Sequence, residues 1–270
     1  MTIIHTIKQA NTITGGLSKT SKMRGFSYGL PAAECKVGSV LRSVEGTPCS
    51  SCYAFKRGNY RFKNVVDGQY RRFDLLTGEH WADAMVYLIT KRYPNGGDFR
   101  WHDSGDIQGV EHLARICEVV RRTPSVAHWM PTQERATLGR YLRSGGEIPT
   151  NLIIRVSATM LGKASLGVPK HPQIKTSTVG ATDCGRQCPA YRQGGACNGP
   201  EELSRLTALV AKLQARKRRD GTLSKSAAQD YSRARLALAS VRANRAEGIE
   251  PIDCRSCWET SVPSVNYPLH

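Results

Sequence analysis

Cysteine is the residue type whose number and spacing in this chain best indicate a chemistry. The sequence has nine Cys, and in a reducing compartment such thiols are kept free for metal ligation rather than disulfides. A first group holds Cys35, Cys49 and Cys52. Cys49 and Cys52 form a Cys-x2-Cys pair, whose sulfurs can face one metal ion from a tight turn. The same pair is compatible with a redox dithiol, although no thioredoxin-type strand pattern precedes it.

A second group of cysteines lies near the end of the chain and gives the best single set of ligands, Cys188, Cys197, Cys254 and Cys257. About fifty basic, Ala-rich residues separate the second from the third. If that segment is a helical insertion whose two ends lie side by side, three of these cysteines come together as Cys-x3-Cys-x2-Cys. Four thiolates on short loops are what an iron–sulfur cluster or a structural zinc ion requires.

Ligand type alone does not separate the two metals, because both use four thiolates. Zinc sites usually have two short knuckles, and Cys49/Cys52 with Cys254/Cys257 would satisfy that pattern. The remaining cysteines then have no role, whereas iron–sulfur clusters tolerate irregular spacing and often have Pro beside a ligand, as at Pro189. We therefore favour an iron–sulfur cluster of the 4Fe–4S type, with zinc as the alternative.

Hydrophobic periodicity predicts the elements that position these groups. Residues 1 to about 34 predict an extended, loop-rich entry, and residues 67 to 92 a helix. Strand and helix then alternate in the segments FRWHDSGDIQ, VEHLARICEVVRR, VAHWMPTQE, ATLGRYLRSGG and NLIIRVSATM. Such alternation with short connections favours parallel β/α architecture. With three or four units, a partial, TIM-like barrel is the expected form.

Polar residues follow the predicted strands at the positions where β/α folds gather their chemistry. His102, Asp103 and Asp106 follow one strand, and Glu134 follows the next. If the protein is an enzyme, we expect these four residues to be the catalytic group. The alternatives are that Asp103 and Asp106 only cap the following helix, or that the group forms a satisfied hydrogen-bond network.

The segment between the last cysteines predicts two helices joined by a turn at Asp220-Gly221. The fold class is therefore α/β, a partial β/α barrel with Cys-rich metal-binding loops and an inserted antiparallel helical hairpin. Residues 1–199 and 252–270 form the barrel with its cluster. Residues 200–251 form the inserted basic hairpin.

The charge balance bears on partners. With 39 Lys and Arg against 22 Asp and Glu, the formal net charge is +17, which attracts polyanions and makes DNA or RNA a candidate partner through a basic surface. A basic but uninvolved surface is the alternative. No apolar leader and no run of 18 apolar residues is found. We expect a cytoplasmic protein with no membrane partner.

Seven motifs in order carry a family resemblance: CSSCYAFKRGNY, FRWHDSGDIQGVEHL, HWMPTQE, NLIIRVSA, CPAYRQGGAC, DCRSCW and VNYPLH. Together they resemble the phage-encoded gene product 88 domain family over residues 26 to 199 and 252 to 270. In relatives the final cysteines run together without a long insert. The resemblance implies a host-cytoplasmic phage protein distantly similar to radical S-adenosylmethionine proteins. It places Cys49 and Cys52 in one motif, with Cys35 as an upstream match, and Cys188, Cys197, Cys254 and Cys257 in the other.

Radical S-adenosylmethionine enzymes usually carry a compact Cys-x3-Cys-x2-Cys that leaves one iron open for the cofactor. This chain instead has Cys35-x13-Cys49-x2-Cys52, and no Gly-rich cofactor segment stands out. The expected function is a phage-type iron–sulfur protein of unknown reaction, with S-adenosylmethionine as a candidate cofactor. A nucleic-acid-binding protein with a structural metal and an electron-transfer protein are the alternatives.

Overall fold

The computed structural model describes residues 4–20, 23, 25–56, 59–180, 185–192, 199–248, 250–251 and 254–267. Within these ranges the strands are β1 (Ser18–Lys19), β2 (Phe26–Tyr28), β3 (Gly97–Trp101), β4 (Val126–Thr132), β5 (Leu152–Ser157), β6 (Ile174–Val179), β7 (Arg186–Gln187) and β8 (Ser264–Tyr267). The helices are α1 (Ile7–Thr14), α2 (Lys36–Leu41), α3 (Tyr53–Lys56), α4 (Lys63–Leu75), α5 (Trp81–Arg92), α6 (Val110–Arg121), α7 (Arg135–Arg143), α8 (Gly199–Asp220) and α9 (Lys225–Ala246).

All the strands described belong to one sheet, in the order β1-β2-β3-β4-β5-β6-β8-β7. Only β1 pairs antiparallel with its neighbour, and the other pairings are parallel. The alternation of β3, α6, β4, α7 and β5 confirms the α/β architecture that the sequence predicts. The curvature of a partial barrel stays a prediction.

The core explains why these segments form these elements. On α6, the fully buried Leu113, Ile116 and Val120 recur at helical spacing and face the sheet. The central strand β5 is buried on both faces, with Leu152 and Ile154 in the core. A central parallel strand covered by helices requires such burial on both sides.

Two expectations from the sequence are wrong in detail. Residues 67 to 92 form no single helix, because α4 ends at Leu75 and α5 begins at Trp81. The intervening Gly78 lies in a turn, and Trp81 is fully buried. The entry segment is not all loop either, since α1 forms with the Thr6 hydroxyl accepting a hydrogen bond from the Gln9 amide.

The described residues divide into two compact units. The first is drawn from Met1–Thr20, Gly25–Gln187 and Ser256–His270, and the second from Ser21–Arg24 and Cys188–Arg255. In the second unit α8 and α9 pack antiparallel through an apolar seam of Leu206, Ala234 and Leu238. Gly221 follows α8 with a φ of 73°, so the predicted helices and turn are confirmed. The insertion of residues 200–251 as a domain stays a prediction.

In the portion of the chain that is described, no helix combines the length and apolar character needed to cross a membrane.

Candidate functional site

The parallel strands bring the candidate residues to one edge of the sheet. β3 and β4 are hydrogen-bonded neighbours, with Gly97 to Arg100 paired with Val126 to Trp129. The segments that follow their carboxyl ends therefore lie side by side. His102, Asp103, Asp106 and Glu134 are all at most 5% exposed. None of the residues between β3 and α6 caps that helix through its side chain, because Gly109 holds the N-cap position.

Asp106 ties the two segments together. Its Oδ1 accepts hydrogen bonds from the Thr132 hydroxyl at 2.6 Å and from the Ile107 amide at 2.8 Å. Its Oδ2 accepts from the Gln133 amide at 2.8 Å. These bonds favour the charged form, but burial outweighs them and, with the nearby Glu134, raises the pKa of Asp106 to about 7. The carboxyl group is thus near half protonation at neutral pH.

Glu134 connects this edge to the first cysteine segment. Its Oε1 accepts a hydrogen bond from the Val37 amide at 2.8 Å, in the first turn of α2. A carboxylate there satisfies an amide that has no intrahelical partner. Cys35 is the N-cap residue of the same helix. Glu134 therefore fixes the backbone that carries Cys35.

The thiols of Cys35, Cys49 and Cys52 are brought together beside the two carboxylates. Cys49 and Cys52 lie at the two ends of one tight turn, closed by a 3.1 Å bond from the Cys52 amide to the Cys49 carbonyl. Burial raises the pKa of Cys35, and Asp106, Cys52, Cys49 and Glu134 raise it further. Burial, Cys52 and Asp106 raise the pKa of Cys49 to about 11, against a smaller opposite effect of Arg42. Ionisation of Cys49 and Cys52 therefore opposes ionisation of Cys35, and ionisation of Cys52 opposes that of Cys49.

Gly38 on α2 leaves open the space between two of these sulfurs. A Cβ atom added there would lie 3.6 Å from the Cys35 Sγ, 3.7 Å from the Cys49 Sγ and 2.9 Å from the Cys35 Cβ. Any larger residue would enter the region that both sulfurs border. Glycine in a helix interior is otherwise unfavourable, so the sulfur environment is a physical reason for its presence.

The thiols nevertheless do not form a closed ligand set. Over the ranges described, no group of three or more His, Cys, Asp or Glu side chains is close enough together to hold a metal ion. Binding a metal at Cys35, Cys49 and Cys52 would require their side chains to rotate inward and lose their protons.

Asp103 belongs to a second network. Its Oδ2 accepts a hydrogen bond from the Tyr60 hydroxyl at 2.9 Å, and its backbone carbonyl accepts one from the Tyr53 hydroxyl. Its Oδ1 has no hydrogen-bond partner among the described residues. Gly29 makes room for this oxygen, because a Cβ there would lie 2.2 Å from it. Sequence reasoning did not anticipate the two tyrosines, although both belong to the CSSCYAFKRGNY motif.

His102 is unusual in backbone and side chain. Its φ of 54° is left-handed, and it is the single non-glycine residue described with a positive φ. Both ring nitrogens are buried without a hydrogen-bond partner in the described chain, and burial with the nearby His112 lowers the pKa of His102 well below its usual range. His112 accepts a bond at Nδ1 from the Gln108 amide at 3.1 Å, so its proton is on Nε2. That proton also lacks an acceptor among the residues described.

The second cysteine group is only partly visible. Cys197, like Cys184, lies outside the described residues. Burial raises the pKa of Cys188, and the nearby Cys254 raises it further, so these two thiols are neighbours within the second unit. Cys257 belongs to the first unit, where its Sγ lies 3.0 Å from the Tyr267 hydroxyl. The predicted quartet of Cys188, Cys197, Cys254 and Cys257 stays a prediction.

Arg155 holds the turn that carries Cys257. Its guanidinium is fully buried in β5 and donates to the backbone carbonyls of Cys257 at 3.1 Å, Ser256, Glu259 at 3.1 Å, Val262 at 3.0 Å and Thr176 at 3.2 Å. The sequence gives no reason for an arginine in a buried central strand. Its role as a donor to these carbonyls is visible only in the fold.

Fold and site together define an α/β protein whose mainly parallel sheet carries buried carboxylates and half-buried cysteines at its carboxyl edge. The sequence profile of the gene product 88 family matches residues 5–258. The chain therefore belongs to the gene product 88 family, a family of phage gene products. No curated protein matches the chain, and no solved structure matches it either.

Proposed function

We propose that this protein binds an iron–sulfur cluster of the 4Fe–4S type through Cys35, Cys49 and Cys52. The observation that carries the proposal is that the sulfurs of Cys35 and Cys49 border one region, because they lie 3.6 and 3.7 Å from the position that a Cβ at Gly38 would take. The electrostatic effect of Cys49 and Cys52 on Cys35 supports it, since like charges raise each other's pKa only at short range.

The donor chemistry fits the group. Soft thiolate sulfur is the ligand that iron–sulfur clusters require. The raised pKa values keep the thiols of Cys35 and Cys49 protonated at neutral pH, so loading must release those protons. The buried carboxyl of Asp106, next to Cys35 and Cys49, is placed to receive a proton as the thiols ionise. Glu134 holds the first turn of α2 and so orients Cys35.

The proposal also includes a partial-barrel fold and the chemistry of radical S-adenosylmethionine proteins. In a radical-S-adenosylmethionine-like partial barrel, three thiolates leave one iron open for the cofactor, and the bound cluster supplies one-electron chemistry. The carboxyl edge occupied by the cysteines supports this arrangement, while the Cys35-x13-Cys49 spacing departs from it. Cys188, Cys197, Cys254 and Cys257 would hold a second metal. The host cytoplasm, where thiols stay reduced, is the compartment we propose.

Anaerobic purification tests the proposal. We expect a brown protein with a broad absorption band near ~400 nm and about four irons per chain. The variants Cys35→Ala, Cys49→Ala and Cys52→Ala should each lose the band. The matched control is Cys117→Ala, because Cys117 is buried in the core on α6 and should leave iron unchanged.

Three outcomes would separate the candidates. Stoichiometric zinc in a colourless protein would replace the cluster with a structural zinc site. Loss of iron in the Cys188→Ala and Cys254→Ala variants alone would move the cluster to the second group. Iron-free and zinc-free protein under both native and reconstituting conditions would refute metal binding altogether.

A further inference from the structure

Strongly exposed aromatic side chains are concentrated in one stretch of the chain. Tyr53 is 42% exposed, Phe55 40%, Phe62 61% and Tyr70 38%. The other large apolar residues with such exposure, in the described parts of the chain, are aliphatic. We call Tyr53, Phe55, Phe62 and Tyr70 the aromatic strip. A folded protein has no structural use for four exposed rings on neighbouring elements, and such a patch indicates a binding surface.

The strip is interleaved with positive charge. Residues 53–71 contain five Lys and Arg, at positions 56, 57, 61, 63 and 71, against the single acid Asp67. Lys63 pairs with Asp67 at 2.6 Å, and both are exposed. Neither Lys56 nor Arg61 forms an ion pair with another described residue, and both are exposed. The charges of Lys56 and Arg61 are therefore available to a ligand.

Local geometry orders the rings along adjoining elements. The guanidinium of Arg42 covers one face of the Phe55 ring at 4.0 Å from its centroid. Phe62 is the N-cap residue of α4. Tyr70 lies seven residues after Lys63 on that helix, so the two share a face. The strip thus offers rings and cations in alternation.

The strip also adjoins the candidate site. Tyr53 directly follows Cys52, and its hydroxyl donates to the Asp103 carbonyl while the residue as a whole is 42% exposed. Its ring centroid is 5.3 Å from that of Tyr60, which binds the Asp103 carboxylate. A ligand stacked on Tyr53 would therefore lie beside the residues that carry the proposed chemistry.

We propose that the aromatic strip binds single-stranded nucleic acid, with bases stacked on Phe55 and Phe62 and phosphates on Lys56 and Arg61. Exposed rings alternating with cations are what sequence-tolerant single-strand binding uses. The paired bases of a duplex cannot stack on such rings. A second copy of the chain is the less favoured occupant, because a net charge of +17 opposes self-association. Single-stranded nucleic acid would then be the partner class of the proposed function, and its role as a substrate rests on that function.

Binding is measured by fluorescence anisotropy with three probes: a 20-nucleotide oligo-dT, a 20-nucleotide oligo-U and a 20-base-pair DNA duplex. We expect both single strands to bind more tightly than the duplex, and affinity to fall between 50 and 200 mM salt. Phe55→Ala and Phe62→Ala should each weaken single-strand binding about 5- to 150-fold. Lys56→Ala should reduce the slope of log affinity against log salt by about 1.

The matched control is Leu166→Ala, since Leu166 is an equally dispensable apolar side chain, 79% exposed. It should bind as the unaltered protein does. A second comparison is Lys217→Glu with Arg218→Glu, which alters exposed charges at the end of α8. Loss of binding in that variant, with Phe55→Ala and Phe62→Ala unaffected, would overturn the proposal in favour of the hairpin.

Two further outcomes would also overturn it. Tighter binding of the duplex than of either single strand would exclude stacking as the basis. A change of molar mass in light scattering caused by Phe62→Ala, with unchanged nucleic-acid affinity, would assign the strip to a protein interface. Iron and sulfide are measured on the same preparation. A protein with iron but no single-strand binding refutes the strip alone, and one with binding but no metal refutes the proposed cluster alone.

Discussion

Replacing Gly38 by Ala adds one methyl group beside the sulfurs of Cys35 and Cys49 in the candidate metal site. In an ordinary helix interior this substitution stabilises the folded protein by about 0.5–1 kcal/mol. Here the new Cβ would lie 2.9 Å from the Cys35 Cβ, closer than two carbon atoms approach without strain, and such overpacking costs about 1–3 kcal/mol. We therefore expect the metal-free variant to be slightly less stable than the unaltered protein.

The larger expected effect is on metal binding. The methyl group would stand 3.6 and 3.7 Å from the two sulfurs, so it would restrict how they can rearrange to share an ion. Displacing supporting groups around metal ligands typically lowers affinity about 10- to 100-fold. That factor corresponds to about 1.4–2.7 kcal/mol. After anaerobic reconstitution, Gly38→Ala should lose iron to a chelator at least ~10-fold more readily than the unaltered protein.

The matched control is Gly68→Ala in the interior of α4. A Cβ there would meet only the ends of the Arg71 and Arg72 side chains, at 3.7 and 3.8 Å, which is ordinary contact. It should gain about 0.5–1 kcal/mol of stability and keep its iron. If Gly38→Ala retains iron as well as Gly68→Ala does, the metal does not lie between Cys35 and Cys49. Should Gly38→Ala fail to fold, Cys35→Gly with Gly38→Ala removes the Cys35 Cβ and with it the overlap, and shows that the fold is recoverable.

Three other predictions concern the edge and its supports. The pKa of Asp106 is raised to about 7, so the folded state holds a proton that the unfolded state releases near pH 4. The free energy of unfolding should therefore fall as the pH rises from about 4 to 7. The fall should be at most about 1.4 kcal/mol for each pH unit. In metal-free Asp106→Asn, urea unfolding at pH 5 and pH 7 should show this slope abolished, and an unchanged slope would contradict the assignment. Arg155→Met should lower the free energy of unfolding by on the order of 3–5 kcal/mol, because buried carbonyls lose their donor. Arg155→Lys should lower it by less, and both variants should show faster hydrogen exchange at residues 256–262. Full protection of those residues would show that another contact holds the turn. Gly29→Ala should lower the free energy of unfolding by about 1–3 kcal/mol, because its Cβ would overlap the Asp103 Oδ1 at 2.2 Å. Asp103→Ala should cost less stability in the Gly29→Ala protein than it does alone. Strictly additive losses would refute the overlap.

The sheet edge could be predicted from sequence because parallel strands place their carboxyl ends together. β3, β4 and β5 are apolar runs bounded by turns, and the helices between them have clear periodicity. β8 gives no such signal: it has four residues and pairs with β6 across a long stretch of sequence. The break between α4 and α5 did leave a signal, since Gly78 is a typical helix terminator, but the apolar spacing on either side concealed it.

Sequence spacing made the second cysteine group the clearer candidate, and that group stays a prediction. Cys254 and Cys257 are three apart in the chain, yet the structure assigns them to different units. Cys35, which has no partner at short spacing, reaches Cys49 and Cys52 because α2 turns the chain and Glu134 holds that turn. Short spacing between two residues in the sequence predicts only their local geometry. A cysteine that the tertiary fold brings to its neighbours has no counterpart in a sequence motif.

The four residues expected to be catalytic divide into two kinds in the structure, and a comparison of two histidines tests the division. Both oxygens of Asp106 are bonded, so it holds the loops together, whereas His102 has two buried nitrogens without partners among the described residues. His128 is a matched control because it is fully buried and both of its ring nitrogens have partners. Its Nδ1 is bonded to the Trp101 indole at 3.2 Å, and its Nε2 lies 2.9 Å from the Thr123 hydroxyl.

Removing an unpaired buried polar group recovers about 1–3 kcal/mol, which offsets the lost packing. We therefore expect His102→Ala to cost less stability than His128→Ala, by about 2 kcal/mol in urea unfolding. Equal losses would mean that the His102 nitrogens are already satisfied by ordered water, and His102 would then be an ordinary core histidine. A smaller loss at His102 would leave its two nitrogens, like the Asp103 Oδ1, open to a ligand at this edge. An open polar group of that kind is what separates a contact residue from the scaffold around it.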